Sequence, residues 1–426
     1  MYLFLLHFLA FAQIVFSVFL LVYLNGRFRP LAYVNFFFSF FVLPGSLYYS
    51  KFYPYFDETG QKLQIVLIIF LIFLSLWLTL TYKINSFHKK KLFEYNFLDK
   101  DFFYIWIILT CFIILSGVLL IYELGGVQNT GFWGLFFEQD RNKYNLLRDA
   151  SFKSLESGYV RDLYSMSKLL TPYVFISSLM IFNNSKFKVI SIVAMILVIF
   201  IMMLQGSRGS LIQFFLYYIL FIFFHSKKIQ LVKILSIIIS AFFILIIIST
   251  LRSTALDSLE VLEDKMFQVI RRVFITPFFT GVLHLKFIEI HGLWDYIKVT
   301  AIPFKNHIGI EHINHFRIVG EWDTKDSRSH YNTSELFLQI SIFGVYLGAF
   351  ISFIKIITLD LLSLLSHKVN KTLRLPLFVS IIASLINLVS SGLEPIIYQT
   401  IFVVLILYMV VISRKLLLIS STKTLM

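Results

Sequence analysis

The sequence predicts an all-α polytopic membrane protein with about eleven transmembrane helices and two long external loops. Three observations carry that reading. Of 426 residues, 58% are hydrophobic and 18% aromatic, with a mean hydropathy of +0.81, well above the roughly 45–50% apolar content of soluble domains. Apolar runs of about 18 residues or more, each able to cross ~30 Å of hydrocarbon as a helix that satisfies its own backbone, recur along almost the whole chain. Finally, basic residues gather in alternate short connections, as the positive-inside rule requires.

The first run, 2–24, lacks a basic n-region and an Ala-x-Ala cleavage site and is longer than a signal-peptide core, so it reads as a retained span. The others are expected at 31–49, 63–82, 102–121, 166–182, 187–205, 207–224, 231–250, 335–358, 375–391 and 396–413. Between them lie Arg27 and Arg29; Lys83, Lys89, Lys90, Lys91 and Lys100; Lys186 and Lys188; Lys227, Lys228 and Lys233; Lys368, Lys371 and Arg374; then Arg414 and Lys415. These connections are expected to be cytoplasmic, with the N terminus outside and the C terminus inside. The net charge of +14 is therefore a topology signal, and no nucleic-acid partner is implied. Cys111 falls inside the fourth span, so no disulfide is expected in the outer loops.

Two connections, 122–165 and 251–334, far exceed the roughly two to eight residues that join bundle helices, and both fall on the outer side of one continuous membrane domain, 1–426. The larger one opens with an amphipathic helix at about 254–275. Leu256, Leu259, Leu262, Met266, Val269, Ile270 and Val273 share one side, while Asp257, Glu260, Asp264, Gln268, Arg271 and Arg272 share the other. Its remainder mixes aromatic, basic and histidine residues and reads as a packed loop over a cleft.

Lysine dominates the cytoplasmic connections, whereas the outer side holds Arg141, Arg148, Arg161, Arg208, Arg252, Arg271, Arg272, Arg317 and Arg328. Guanidinium forks bind phosphate bidentately, so this bias points to a polyanionic, pyrophosphate-bearing ligand beside the membrane. Ion pairing, snorkelling and contact with lipid phosphates are the ordinary alternatives, and Arg271 and Arg272 also suit a helix C terminus. Arg208 stands apart. In "LQGSRGSLI" it has no acidic neighbour, lies at the edge of a span, and is flanked by Gly206 and Gly209. Ser207, Ser210 and the first N–H groups of the next helix would add anion donors.

Among the outer histidines, "HIGIEHINH" (His307, His312, His315) matches neither HExxH nor zinc-finger spacing, so no metal is expected. A general base is the better use of a histidine near neutral pH. His330, just before the span at 335–358, is the first candidate, with Arg328 beside it and Glu335 as the alternative base. Ser334 followed by Glu335 equally suits a helix cap. Glu394 near Gly392 and Pro395 reads as a turn residue.

"GSRGSL" resembles the S-R-G element of the O-antigen polymerase and ligase superfamily, and "SHYNTSELFLQISIFGVYLG" resembles its second landmark, a His-Asn-type loop end running into a glycine-bearing helix. Here Gly344 and Gly348 are four residues apart, where the family usually has three. The resemblance spans the whole architecture and implies a GT-C-like polymerase/ligase arrangement in the bacterial inner membrane. It implies polymerisation of undecaprenyl-pyrophosphate-linked oligosaccharide repeat units into O-antigen or capsular polysaccharide at the outer face, without cofactor or metal. It admits a chain-length regulator protein as a partner beside membrane lipids. It also implies Arg208 as diphosphate binder and His330 as activating base; from the arginine bias itself, Arg252, Arg271, Arg272, Arg317 and Arg328 are the further candidate diphosphate contacts. A ligase-type glycan transferase and a lipid-linked-oligosaccharide flippase are the competing readings. The few charges within the spans and the lack of a repeat argue against the flippase.

Overall fold

The computed structural model describes residues 2–23, 28–52, 58–84, 100–138, 140–153, 158–184, 187–206, 208–225, 270–292, 334–363 and 371–385, with isolated positions at 236–244, 267, 319 and 322–323. Those residues are almost entirely helical, and no strand occurs among them. Among the described residues, five helices are long and apolar enough to cross a membrane: Leu5–Val22, Pro30–Tyr48, Glu58–Leu80, Phe102–Glu123 and Gly158–Asn183. The chain is membrane-embedded. The expected span at 396–413 and most of that at 231–250 lie outside the described residues.

The chain divides into two compact units. The first comprises Met1–Lys90, Phe267–Leu365 and Ser384–Ile397. It begins with α1 (Tyr2–Val22), α2 (Pro30–Phe37), which runs through a π-helical turn (Phe38–Val42) into α3 (Leu43–Phe52), and α4 (Glu58–Leu80). The second comprises Lys91–Met266, Ser366–Ala383 and Tyr398–Met426. It contains α5 (Lys100–Glu123), α6 (Gly131–Phe136), α7 (Arg141–Lys153), α8 (Gly158–Asn184), α9 (Lys188–Met203) and α10 (Arg208–His225). The first unit resumes with a π-helical turn (Arg271–Ile275) leading into α11 (Thr276–His291), then α12 (Glu335–Phe343) and α13 (Val345–Ser363). Most of α14 (Lys371–Leu385) belongs to the second.

In the first unit, α1 is patterned the wrong way round for water. Gln13 and Ser17 are buried, while Phe8 and Phe11 are 58% and 64% exposed. Lipid accepts the apolar face, and the polar face must find partners inside the protein. Gln13 Nε2 donates to Ser75 Oγ at 3.0 Å and to Asn35 Oδ1 at 3.2 Å, and Asn35 Nδ2 donates to Ser75 Oγ at 3.0 Å. One polar knot thus ties α1, α2 and α4 together.

Arg29, counted from the sequence among the basic residues of the cytoplasmic connections, is buried and paired. It is 0% exposed: its Nη2 lies 2.7 Å from Asp360 Oδ2 and its Nε donates to the same oxygen at 2.8 Å. Its Nη1 donates to Thr81 Oγ1 at 2.7 Å, and the Leu31 N–H donates to Asp360 Oδ1 at 3.2 Å. The starts and ends of three helices therefore meet on a fully desolvated pair, which needs this full set of partners to offset its desolvation.

The expected span at 335–358 is not one helix. Gly344 adopts φ +81, ends α12, and its N–H donates to the Ile340 carbonyl at 2.9 Å. The chain folds back, so that a Cβ on Gly348 would lie 2.5 Å from Ile340 Cα. Most of the amphipathic helix expected at about 254–275 lies outside the described residues; its end, the π-helical turn, leads into α11, whose Phe278 ring meets Phe337 of α12 edge-on at 5.7 Å.

Breaking the buried pair tests this account. Arg29→Met should cost about 3–5 kcal/mol, because it strands Asp360 without a counter-charge. The double variant Arg29→Met/Asp360→Leu should recover most of that loss in thermal unfolding of the detergent-purified protein. An Arg29→Met protein as stable as the parent would show that the pair is not needed.

Candidate functional site

The site is built in the second unit around the turn from α9 to α10. Leu204 and Gln205 are buried, and Gly206 has φ +69, a left-handed conformation that favours glycine. Helix α10 starts at Arg208, so this residue occupies the N-terminal turn of an 18-residue helix. The first N–H groups there have no intrahelical acceptor, and the helix dipole adds partial positive charge.

Four carbonyls around the turn are occupied by the protein itself. Ile201 O accepts from the Tyr164 hydroxyl at 2.7 Å, Met203 O from the Gly206 N–H at 2.7 Å, and Leu204 O from the Phe132 N–H at 3.0 Å. Gly206 O accepts from the Tyr144 hydroxyl at 3.0 Å. These four carbonyls are thus bonded within the fold, whereas Gln205 Oε1 is a buried acceptor at the same turn.

The connection between α5 and α8 supplies two of these contacts, from Phe132 and Tyr144. Thr130 caps α6 by accepting from the Trp133 N–H at 3.4 Å, and the Gly131 N–H donates to Ser151 Oγ of α7 at 2.8 Å. Leu135 and Tyr144 pack with Met203. Two glycines allow the approach: a Cβ on Gly131 would lie 2.8 Å from Gly206 N, and one on Gly206 would strike the Gly131 carbonyl. At the rim, Lys143 pairs with Glu138 at 2.8 Å, and that hydrogen bond holds the ammonium above the ordinary lysine pKa.

Helix α8 closes another side. Phe175 packs against Phe214 of α10 at 5.1 Å and Tyr217 at 6.1 Å. The Trp106 indole of α5 donates to Ser178 Oγ at 2.8 Å, fixing α8 from behind. Half-buried Lys168 places its Nζ 5.4 Å from the centre of the Tyr164 ring. Gln205 Oε1 is buried without a hydrogen-bond partner.

Of the residues read from sequence, Arg208 belongs to this unit, as does Arg252, which lies outside the described residues. His330, Arg317 and Arg328 also lie outside them. Arg271 and Arg272 occur in the π-helical turn of the first unit, with Arg271 exposed. Glu335 is the first residue of α12, whose N-cap, Ser334, accepts from the Phe337 N–H at 3.5 Å. This is the capping arrangement expected as the alternative to a base.

Sequence reasoning did not anticipate Tyr144, Tyr164, Ser151 or Gly131, whose roles depend on contacts with distant segments. Lys168 left a signal, a lysine inside the expected span 166–182. No protein-family model, curated protein or solved structure matches the chain.

Gly131→Ala should destabilise the protein by about 1–3 kcal/mol through overpacking against the turn. Tyr144→Phe should cost about 1 kcal/mol through the lost hydrogen bond. Both are read by thermal unfolding, and an unchanged melting temperature for Gly131→Ala would mean that the close approach is dispensable.

Proposed function

We propose that the chain polymerises undecaprenyl-pyrophosphate-linked oligosaccharide repeat units at the outer face of the bacterial inner membrane, with eleven spans in a GT-C-like arrangement, the N terminus outside and the C terminus cytoplasmic. The observation that carries this reading is Arg208 at the start of α10, after a turn whose carbonyl acceptors are bonded within the protein. A permanent guanidinium, helix N–H donors and a partial positive charge at one point suit a diphosphate at the membrane surface.

The chemistry follows from that placement. An acceptor sugar hydroxyl attacks the anomeric carbon of the donor. A C–O bond forms there while the bond from that carbon to the diphosphate oxygen breaks. His330 takes the hydroxyl proton, and the departing lipid diphosphate keeps the electron pair, its charge met by Arg208. Arg252, Arg271, Arg272, Arg317 and Arg328 are the further candidate phosphate contacts, and Glu335 is the alternative base. No carboxylate pair is required, because diphosphate is already a good leaving group.

Reconstitution with purified lipid-linked repeat unit and gel analysis of the glycan tests the reading. Arg208→Ala and Arg208→Lys should each slow chain extension about 10²–10³-fold at normal protein level, since lysine supplies charge without the fork. Full activity in Arg208→Ala would end the proposal. In cells, loss of a polymerase leaves single capped repeat units, whereas loss of a ligase leaves polymer on its carrier.

A further inference from the structure

We propose that the first unit carries a carbohydrate subsite at the end of α11, where His291 and Trp322 receive one sugar ring of the glycan. The inference rests on the glycan reading given above and assigns two residues that the reaction scheme leaves unused.

Two segments meet to define the place. Helix α11 ends at His291, after which Gly292 turns the chain with φ +85. The second segment lies later in the chain. There Val319 is buried with Leu283, Phe287 and Leu338, and Trp322 packs against that cluster. The indole is therefore fixed on the packed core of α11 and α12. Phe287 lies one turn before His291, and its ring centre is 4.5 Å from that of the imidazole. The Trp322 ring meets the imidazole edge-on at 6.1 Å and the Phe287 ring at 5.7 Å. Two aromatic rings thus orient the imidazole.

Ring packing is what holds these groups, and their polar atoms are left for something else. The side chains of His291 and Trp322 have no hydrogen-bond partner among the described residues. His291 is exposed and Trp322 half-buried. A Cβ on Gly292 would meet nothing within 4 Å, so the space beside the end of the helix is open. An imidazole ring offers a donor and an acceptor, and an indole offers a donor. Groups that are already oriented lose little freedom when a ligand arrives.

The ligand class follows from the rings. None of the three carries a permanent charge, so the set lacks the cation that a phosphate requires. A sugar ring matches it: the C–H face packs on an aromatic ring, and the hydroxyls at the rim both donate and accept. The location agrees. Thr59 Oγ1, at the start of α4, donates to Glu289 near the end of α11 at 3.2 Å, whereas Arg29 contacts Thr81 beyond the other end of α4. The His291 end is thus the external end of the first unit in the proposed topology.

The test measures binding of the free oligosaccharide, released by mild acid from purified lipid-linked repeat unit, to the full-length protein in nanodiscs by saturation-transfer NMR titration. His291→Phe keeps the ring packing and removes both nitrogens, and His291→Gln restores a donor and an acceptor without the ring. His291→Phe should weaken binding about tenfold, His291→Gln should stay within about threefold of the parent, and Trp322→Leu should weaken binding at least as much as His291→Phe. Unchanged binding in His291→Phe would show that the imidazole only packs, and would overturn the subsite. So would a parent protein that binds no oligosaccharide, and chain extension by the same preparation then decides the polymerase reading separately. Binding that depends on His291 in a protein that extends no chain would keep the subsite and remove the polymerase reading.

Discussion

Inside an apolar layer a polar group has no water to turn to, so each one must be answered by another group of the protein. That constraint explains why Gln13, Asn35 and Ser75 converge although they sit on separate helices. Its strongest expression is the Arg29–Asp360 pair, where Thr81 takes a further guanidinium N–H and the Leu31 N–H takes the second carboxylate oxygen. Removing any one contact leaves another donor or acceptor stranded at a cost of a few kcal/mol. The helices of the first unit are held in register by these demands, because apolar side chains gain little by packing on one another when lipid is the alternative.

The same constraint shapes the second unit to a different end. A chain reversal after an apolar helix exposes carbonyls, and here Tyr144, Tyr164 and Phe132 satisfy them. The tyrosines can reach because Gly131 and Gly206 let two backbones touch, which a side chain at either position would prevent. With four of its carbonyls bonded, the turn leads into the start of α10, and the partial positive charge of a helix start attracts anions. The connection between α5 and α8 is therefore part of the site's construction: α6 and α7 hold the turn from which α10 starts at Arg208.

Much of the helical arrangement was legible because apolar length is a strong signal; the helices near 2–22, 58–80, 100–123 and 188–203 follow the runs in the sequence. The break at Gly344 was not. "LFLQISIFGVYLGAF" is continuously apolar, and a glycine within such a run is common in membrane helices, so nothing local demands φ +81. Arg29 looked like an ordinary cytoplasmic charge because its partner lies 331 residues away. At the site, the glycine-flanked Arg208 was visible as an oddity of one short stretch. Tyr144 was not, since its bond to Gly206 joins residues 62 apart and no periodicity encodes that distance.

The Arg29 contact also constrains topology in a way that counting apolar runs does not. Thr81 follows the end of α4 and Asp360 lies near the end of α13, and both touch one guanidinium at the start of α2. Residues that share a hydrogen-bond donor lie on the same side of the bilayer, so a topology proposed for this chain should place an even number of crossings between Thr81 and Asp360. The proposed eleven-span arrangement places six crossings there, from the run at 102–121 to that at 335–358. An arrangement with one span fewer or one more in that interval would pull Asp360 to the opposite face and leave Arg29 buried without a counter-ion. The break at Gly344 divides the last of those runs: α12 folds back on α13. At 19 residues it spans ~28 Å as a helix, close to the thickness of the hydrocarbon layer.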